Sequence, residues 1–426
     1  MADDAQPKRQ RFVFLKVLGG FVLVLILAGV AISFWSSEQV GKIRDEYEAN
    51  AFPTTLDELN QRHLAQASDN DNAALGVLAA ANAGKDPGSA LLPVLCTGTS
   101  CKRIDLNVAD ELTKSAAYVE ANAEALRLAH AALQLKNARY PFDLNQWPPD
   151  IGHLKSVSWV ARLLILEGAV AAHKKDAARA TDAYVAAFDC ARTLTAEPML
   201  ISMMSVASIL PRLCGEIVSA MDTVSFSEDQ LARLAAAADR LREDISLDRT
   251  VAGECTFGLF SNSPTNGFAR PLGSVDRAAF ANFVQELLVA VQQPTHGSIP
   301  ALERMKGSET GAFAMYVTPM TNLMQPALVR GSAGIQKAMM RLDLCELTIA
   351  AQRYRLRDKI WPPSLSELAG DFLRLIPLDP YSNKQYRFVS TNEKFVIYSL
   401  GPDHTDDGGA EMDDEKHGDI SLRVAG

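Results

Sequence analysis

Six aspartates crowd into residues 403–419: Asp403, Asp406, Asp407, Asp413, Asp414 and Asp419, interleaved with Gly408, Gly409 and Gly418. A hard cation such as calcium takes about six to eight oxygen ligands in adaptable geometry, and glycines let a short loop turn its carboxylates inward. The loop therefore reads as a structural clasp for Ca2+, while the same residues without a cation make a solvated acidic turn. His404 and His417 stand close by, at no spacing that favours a transition metal. A second pair is Cys96-Thr97-Gly98-Thr99-Ser100-Cys101, in which Gly98 allows a turn. In an oxidising compartment Cys96 and Cys101 can close a small disulfide loop; as a metal site they lack a second ligand pair.

No other constellation reaches a catalytic claim. The chain has no His-Glu-x-x-His, no glycine-rich phosphate loop ending in Lys-Ser/Thr, and no Gly-x-Ser-x-Gly elbow. Asp69-Asn70-Asp71 opens like a calcium-binding loop, but Ala73 and Ala74 break the pattern. The seven histidines stand singly; His130 and His173 fall on helices, where a surface or satisfied core role is the ordinary one. Glu167 sits on an otherwise apolar face, as a buried acid or a hairpin rim would. Trp147, Trp159 and Trp361 could line a groove, although Trp beside Pro usually packs an element end.

The elements that position these residues are mostly helices. Residues 107–246 are alanine-rich with helical periodicity, broken at Tyr140-Pro141, Trp147-Pro148-Pro149 and Glu197-Pro198, which predicts an irregular antiparallel bundle within 107–326. Residues 157–172 and 176–194 form one tetratricopeptide-like hairpin around His173-Lys174-Lys175, with Leu163, Leu166, Ala180, Tyr184 and Ala187 at packing positions. Further helices are expected at 198–221 and 227–245. Residues 261–275 read as a surface loop, with breaks at 293–300 and 317–326. Ile335, Met339, Leu342, Cys345 and Ile349 then mark the apolar stripe of a helix ending near Arg357. Tyr386 and Phe388, then Phe395-Val396-Ile397-Tyr398, then Ile420, Leu422 and Val424 predict three antiparallel strands, with Asn392 in the first turn. The fold class is mainly α, with a C-terminal α+β module of one helix on a three-stranded antiparallel sheet over 327–426.

One local string occurs twice. Phe52-Pro53-Thr54-Thr55-Leu56-Asp57-Glu58-Leu59 returns as Trp361-Pro362-Pro363-Ser364-Leu365-Ser366-Glu367-Leu368. Each copy predicts an aromatic-Pro stop followed by a capping box, Thr55 with Glu58 and Ser364 with Glu367.

The amino-terminal end carries the expectation of compartment. Lys8, Arg9 and Arg11 precede a nearly uncharged run, residues 17–35, long enough at about 1.5 Å per residue to cross a bilayer. Phe34-Trp35-Ser36-Ser37 makes a poor signal-peptide cleavage site. The expectation is an uncleaved single-pass anchor in the bacterial inner membrane, with the tail 1–16 cytoplasmic and everything after Ser36 periplasmic. Residues 36–106 read as a membrane-proximal helical segment, in which a charged helix at 38–50 would lift the chain away. Lys8, Arg9, Arg11 and Lys16 against Asp3 and Asp4 leave the first 35 residues at +2 and the remainder, of a total −9, at −11. So acidic an exported part argues against nucleic acid as a partner. The partners expected are the lipid bilayer and other proteins.

The terminal module resembles the C-terminal half of the major pseudopilin of bacterial type II secretion. The resemblance rests on Asp379-Pro380-x-x-Asn383 as entry turn, on Tyr398-Ser399-Leu400-Gly401-x-Asp403, and on Gly418-Asp419-Ile420 after the acidic loop. It implies a structural calcium, with Asp403 as first acidic ligand, Asp413 or Asp414 as the later one and the Leu400 carbonyl contributing; Asp406, Asp407 and Asp419 are further donors. The chain departs from that family where Gly20-Phe21 falls inside the apolar run and Leu25 occupies the position of a processed pilin's Glu. Tyr140-Pro141-Phe142-Asp143, the hairpin and Glu197-Pro198-Met199-Leu200-Ile201 make the whole chain similar to large envelope proteins of the planctomycete type, which implies compartment and architecture but no activity. The leading expectation is an anchored extracytoplasmic scaffold or interaction protein. An extracytoplasmic enzyme with an unrecognised site and an atypical pseudopilus component are the alternatives.

Overall fold

The computed structural model describes residues 6–85, 105–144, 149–260, 270–306, 317–391, 394–410 and 418–425. Cys96, Cys101, Asp413, Asp414, Trp147, Asn392 and His417 lie outside the described residues. No proline interrupts residues 8–52, so the expected anchor and the charged segment after it fuse into one helix, α1 (Gln6–Ala49). Its two halves have different surroundings. Phe21 and Phe34 are 61% and 75% exposed, whereas Ser36, Ile43 and Tyr47 are buried. Ser36 Oγ donates to the Ser274 carbonyl at 2.7 Å and Tyr47 Oη to the Ala252 carbonyl at 3.1 Å.

Ala51, at φ 54°, and Pro53 turn the chain into α2 (Leu56–Leu64). Here the repeated string behaves nearly as expected: Thr55 accepts from the Glu58 amide at 3.1 Å, and the Glu58 carboxylate reaches back to the Thr54 amide at 3.0 Å, one residue before the cap. The second copy does not. Ser364 makes no side-chain cap, and only a single 3-10 turn, Leu365–Leu368, follows. Its two leucines are drawn into the module core and Gly370, at φ 87°, redirects the chain before a helix can propagate.

The body is built from α3 (Ala73–Ala83), α4 (Ala109–Ala121), α5 (Ala123–Ala132), α6 (Gly152–His173), α7 (Ala177–Arg192), α8 (Leu200–Thr223), α9 (Glu228–Asp244), α10 (Leu247–Phe260), α11 (Arg270–Gln292) and α12 (Thr295–Lys306). Caps follow the local sequence: Asn72 accepts from the Ala74 amide, Asp176 from that of Arg179, and Ser227 with Gln230 closes a full capping box. The expected hairpin is α6 and α7, joined through Lys175 at φ 64°, with Leu163, Leu166, Ala180, Tyr184 and Ala187 all buried. Gly168 lets it close, because a Cβ there would stand 2.5 Å from the Tyr184 ring. Among the described residues outside α1, α8 is the one helix long and apolar enough to cross a bilayer, yet half of that stretch is buried and it packs against α6, α7 and α10. Its apolarity is that of a core helix.

Three expected breaks are shorter than read: the chain does leave helix between Gln292 and Thr295 and at Thr318, but helix occupies part of each stretch. Helix α11 begins at Arg270, inside the stretch read as surface loop; α12 runs through Pro300; and α13 (Pro319–Asp358) starts on a proline and continues through Pro326. Proline costs a helix interior about 3 kcal/mol, and burial along these helices outweighs it.

Helix α13 serves two cores. Ile335, Met339, Leu342, Cys345 and Ile349 face the bundle, while Met340, Leu344, Leu347 and Ala351 face the C-terminal module. There, β1 (Leu378–Asp379) pairs with β2 (Lys384–Gln385), and β3 (Arg387–Ser390), β4 (Lys394–Ser399) and β5 (Ile420–Ala425) form an antiparallel sheet in the order β3-β4-β5. Phe388 stands opposite Ile397, and Ile397 opposite Leu422. Strand β4 is buried on both faces. Phe395 and Ile397 join the module core with α13, and Val396 and Tyr398 form a small outer cluster with Leu400. Edge strand β5 also packs on α8, where the Ala425 amide donates to Asp222 at 2.6 Å.

Candidate functional site

The acidic loop leaves β4 and returns to β5, and its described parts fold over the outer face of the sheet. The entry turn is organised by Asp379, a buried carboxylate that accepts from Ser399 Oγ, from the Tyr381 amide at 3.1 Å and from the Leu400 amide at 3.4 Å. Gly401 (φ 68°) must be glycine, because a Cβ would meet the Gly418 carbonyl oxygen at 2.5 Å where the two ends of the loop cross. Gly409 (φ 82°) lies against Val396 and Tyr398, its Cβ position 2.8 Å and 3.2 Å from them. The loop thus caps the outer cluster.

Its aspartates have different tasks. Asp403 accepts from the Thr405 amide at 3.1 Å and, across the loop, from the Gly418 amide at 3.0 Å. Asp406 pairs with Arg387 and accepts from Tyr398 Oη at 3.0 Å and the Gly408 amide at 3.1 Å. Asp419 is fully buried; one carboxylate oxygen accepts from the Asp407 amide at 3.0 Å and the Gly409 amide at 2.7 Å. Its other oxygen is buried without a hydrogen-bond partner among the described residues. Burial pushes the Asp419 carboxyl above the usual carboxylate range; the two amide bonds oppose this and the Asp407 and Asp403 charges add to it. The structure thus brings Asp403, Asp407 and Asp419 into one electrostatic neighbourhood and ties Asp406 to Arg387. Among the described residues no three His, Cys, Asp or Glu side chains already form a coordination cluster.

Sequence reading missed a second feature, a cleft of about 530 Å³ between the α1–α2 turn, α2, the α7–α8 connection and the start of α10. His63 and Glu197 line it, and both are buried. His63 Nε2 lies 3.0 Å from the Tyr140 carbonyl, and burial holds the imidazole below its ordinary pKa. Glu197 lies between His153, at 2.9 Å, and Ser202 Oγ, which donates to it. Rings surround them: Phe142 lies against His63 at 4.3 Å, tilted by 32°, and Tyr140 stacks on His153 at 4.7 Å. A serine nucleophile needs an imidazole to take its proton. Here the carboxylate stands between hydroxyl and imidazole, so Ser202 is anchored and not activated. No sequence signal marks this cluster, because its members come from helices and loops separated by tens of residues.

Glu167 is a buried acid with partners on two sides, His130 Nε2 at 2.8 Å and Arg179 Nε at 3.0 Å. His173 turns back on its own helix, with Nδ1 2.9 Å from the Ala169 carbonyl. Cys190, Cys214, Cys255 and Cys345 are buried free thiols, and burial lifts the Cys190 thiol to about 12, out of nucleophilic range. No family model, curated protein or solved structure matches this chain.

Proposed function

We propose that the chain is a single-pass protein of the bacterial inner membrane whose exported helical body is a scaffold for other proteins, closed by a pilin-like module with a calcium-holding loop. The observation that carries this reading is α1. Its residues Phe21, Leu23, Val24, Ile26, Leu27, Val30 and Phe34 all lie open to solvent at more than half of their surface. Monomeric soluble proteins rarely leave so continuous an apolar patch uncovered, whereas a bilayer covers it. Orientation follows from the basic tail at residues 8–16.

The loop fits a hard cation through one atom above all, the buried oxygen of Asp419 without a donor. Asp403 and Asp407 are the neighbours that would share the ion, with the Leu400 carbonyl and Asp413 or Asp414 completing the set implied by the pseudopilin resemblance. Calcium bound there would neutralise crowded carboxylates and fasten the loop to β5. Asp406 is better explained as the partner of Arg387. The enzyme reading has the cleft beside His63 in its favour, but lacks an activated nucleophile there.

Anchoring is tested by extraction. The full chain should stay with the membrane fraction in alkaline carbonate, and a variant lacking residues 1–35 should be released. Release of the full chain would refute the proposal.

A further inference from the structure

We infer that the end of the body carrying the first turns of α11 and α13 rests on the lipid headgroup layer, with Leu323 inserted into it. The partner is the bilayer surface itself, and the inference rests on the anchor reading above. The first observation is the absence of any spacer. Ser36, next to Trp35, is already buried and bonded to Ser274 of α11. The body therefore begins where the apolar run of α1 ends.

The second observation is direction. Ser36 meets Ser274, and ten residues later Glu46 meets Gln285 through a side-chain hydrogen bond. Helices α1 and α11 thus run side by side in the same sense, and Ser274, four residues into α11, lies level with Ser36. Asp276, buried two residues beyond Ser274, then caps α13: its carboxylate accepts from the Met320 amide at 2.8 Å, the Thr321 amide at 3.0 Å and Thr321 Oγ1 at 2.7 Å. The first turn of α13 is fixed to the same level. Farther along, Gly331 packs on Leu200, whose amide is bonded to Glu254, two residues from the Ala252 carbonyl that holds Tyr47. Tyr47 lies eleven residues beyond Ser36, roughly 16 Å along α1. Helix α13 therefore leads away from the membrane end and its beginning faces it.

The third observation is what that beginning exposes. Pro319, Leu323, Pro326 and Ala327 are all exposed, and their spacing places them on one helical face. Leu323, at 78%, is as open as Phe34 on the anchor, at 75%. Tied through Asp276 to the level of Ser274 and Ser36, this face lies where the headgroups must be if residues 17–35 span. Apolar side chains are favourable at that depth, and Trp35 sits at the boundary that indoles prefer.

The test uses the full chain in a Cys96→Ser/Cys101→Ser background, in which the four remaining cysteines are buried. Single cysteines at Val30, Leu323 and Leu375 are labelled with an environment-sensitive nitrobenzoxadiazole dye and reconstituted into phosphatidylcholine vesicles with or without spin-labelled quencher lipids. Leu375, 77% exposed, belongs to the module at the far end of α13. Dye at Val30 and Leu323 should lose at least half its emission to the quencher lipids, and dye at Leu375 should not respond. Quenching at Val30 without quenching at Leu323 overturns the inference and leaves the anchor intact; quenching at neither removes both. A blue-shifted but unquenched dye at Leu323 would mean that a second copy or a soluble protein covers the face, and would equally overturn it.

Discussion

Asp419 spends one oxygen on two backbone N–H groups, and its other oxygen, also buried, has no partner among the described residues. An unpaired buried acceptor costs about 1–3 kcal/mol, and the Asp403 and Asp407 charges raise the cost of ionisation further. A cation would relieve both costs. We predict that millimolar calcium raises the melting temperature of the full chain by on the order of a few degrees, as a ligand specific for the native state must. Asp419→Asn should abolish that response while leaving the metal-free melting temperature nearly unchanged. A wild-type melting curve indifferent to calcium would end the clasp proposal. The same residue shows how far reading the sequence goes. Its acidity and its glycine neighbours are visible as letters, but its burial depends on Gly409 lying against Val396 and Tyr398, a contact that pattern alone does not reveal.

Among the elements, periodic apolar stripes were legible, and so were the stops at Phe52-Pro53, Tyr140-Pro141 and Glu197-Pro198, whereas Pro300 and Pro326 were not stops. The stripe from Ile335 to Ile349, the α6–α7 hairpin and the β4 and β5 strands lie where their spacing puts them. Pro300 and Pro326 misled because the packing that overrides a local helix breaker is made with residues far away in the chain. The repeated aromatic-Pro string is instructive for the same reason: Thr55 caps a helix, and Ser364, in an equivalent context of letters, does not. The His63–Glu197 cluster was invisible, since no spacing rule joins its members. Two glycines offer a test of element packing with opposite signs. Gly168→Ala would drive a methyl group into the Tyr184 ring and should cost about 1–3 kcal/mol in urea denaturation. Gly215→Ala in α8, where a Cβ meets nothing within 4 Å, should gain roughly 0.5–1 kcal/mol. Equal effects would mean that the α6–α7 contact is not as close as described.

At the scale of the whole molecule, bundle and module are joined by α13 and by a buried charge network. Arg242 of α9 pairs with Asp343 at 2.7 Å and Glu346 at 2.5 Å on α13, and Tyr386 beside the sheet donates to Asp343 at 2.8 Å. Two carboxylates share one guanidinium. Burial, with Asp343 and Asp239 nearby and against the pull of Arg242, raises Glu346 to about 7. Between its ordinary 4.5 and 7 the folded chain retains a proton that the unfolded chain has lost, so this group's contribution to stability declines as pH rises through that window and levels off above it. The span corresponds to about 3 kcal/mol at most. Glu346→Gln should flatten the fall in melting temperature between pH 5 and pH 8; an identical slope in both proteins would refute the assignment. The unbroken α1 has a consequence of another kind. A rod without a joint transmits torque, and a span tilts to match the thickness of its bilayer. If, as proposed, residues 17–35 lie in lipid, thinning or thickening the membrane would swing the whole body through the same angle, so that its distant face would register the mechanical state of the lipid sheet beneath it.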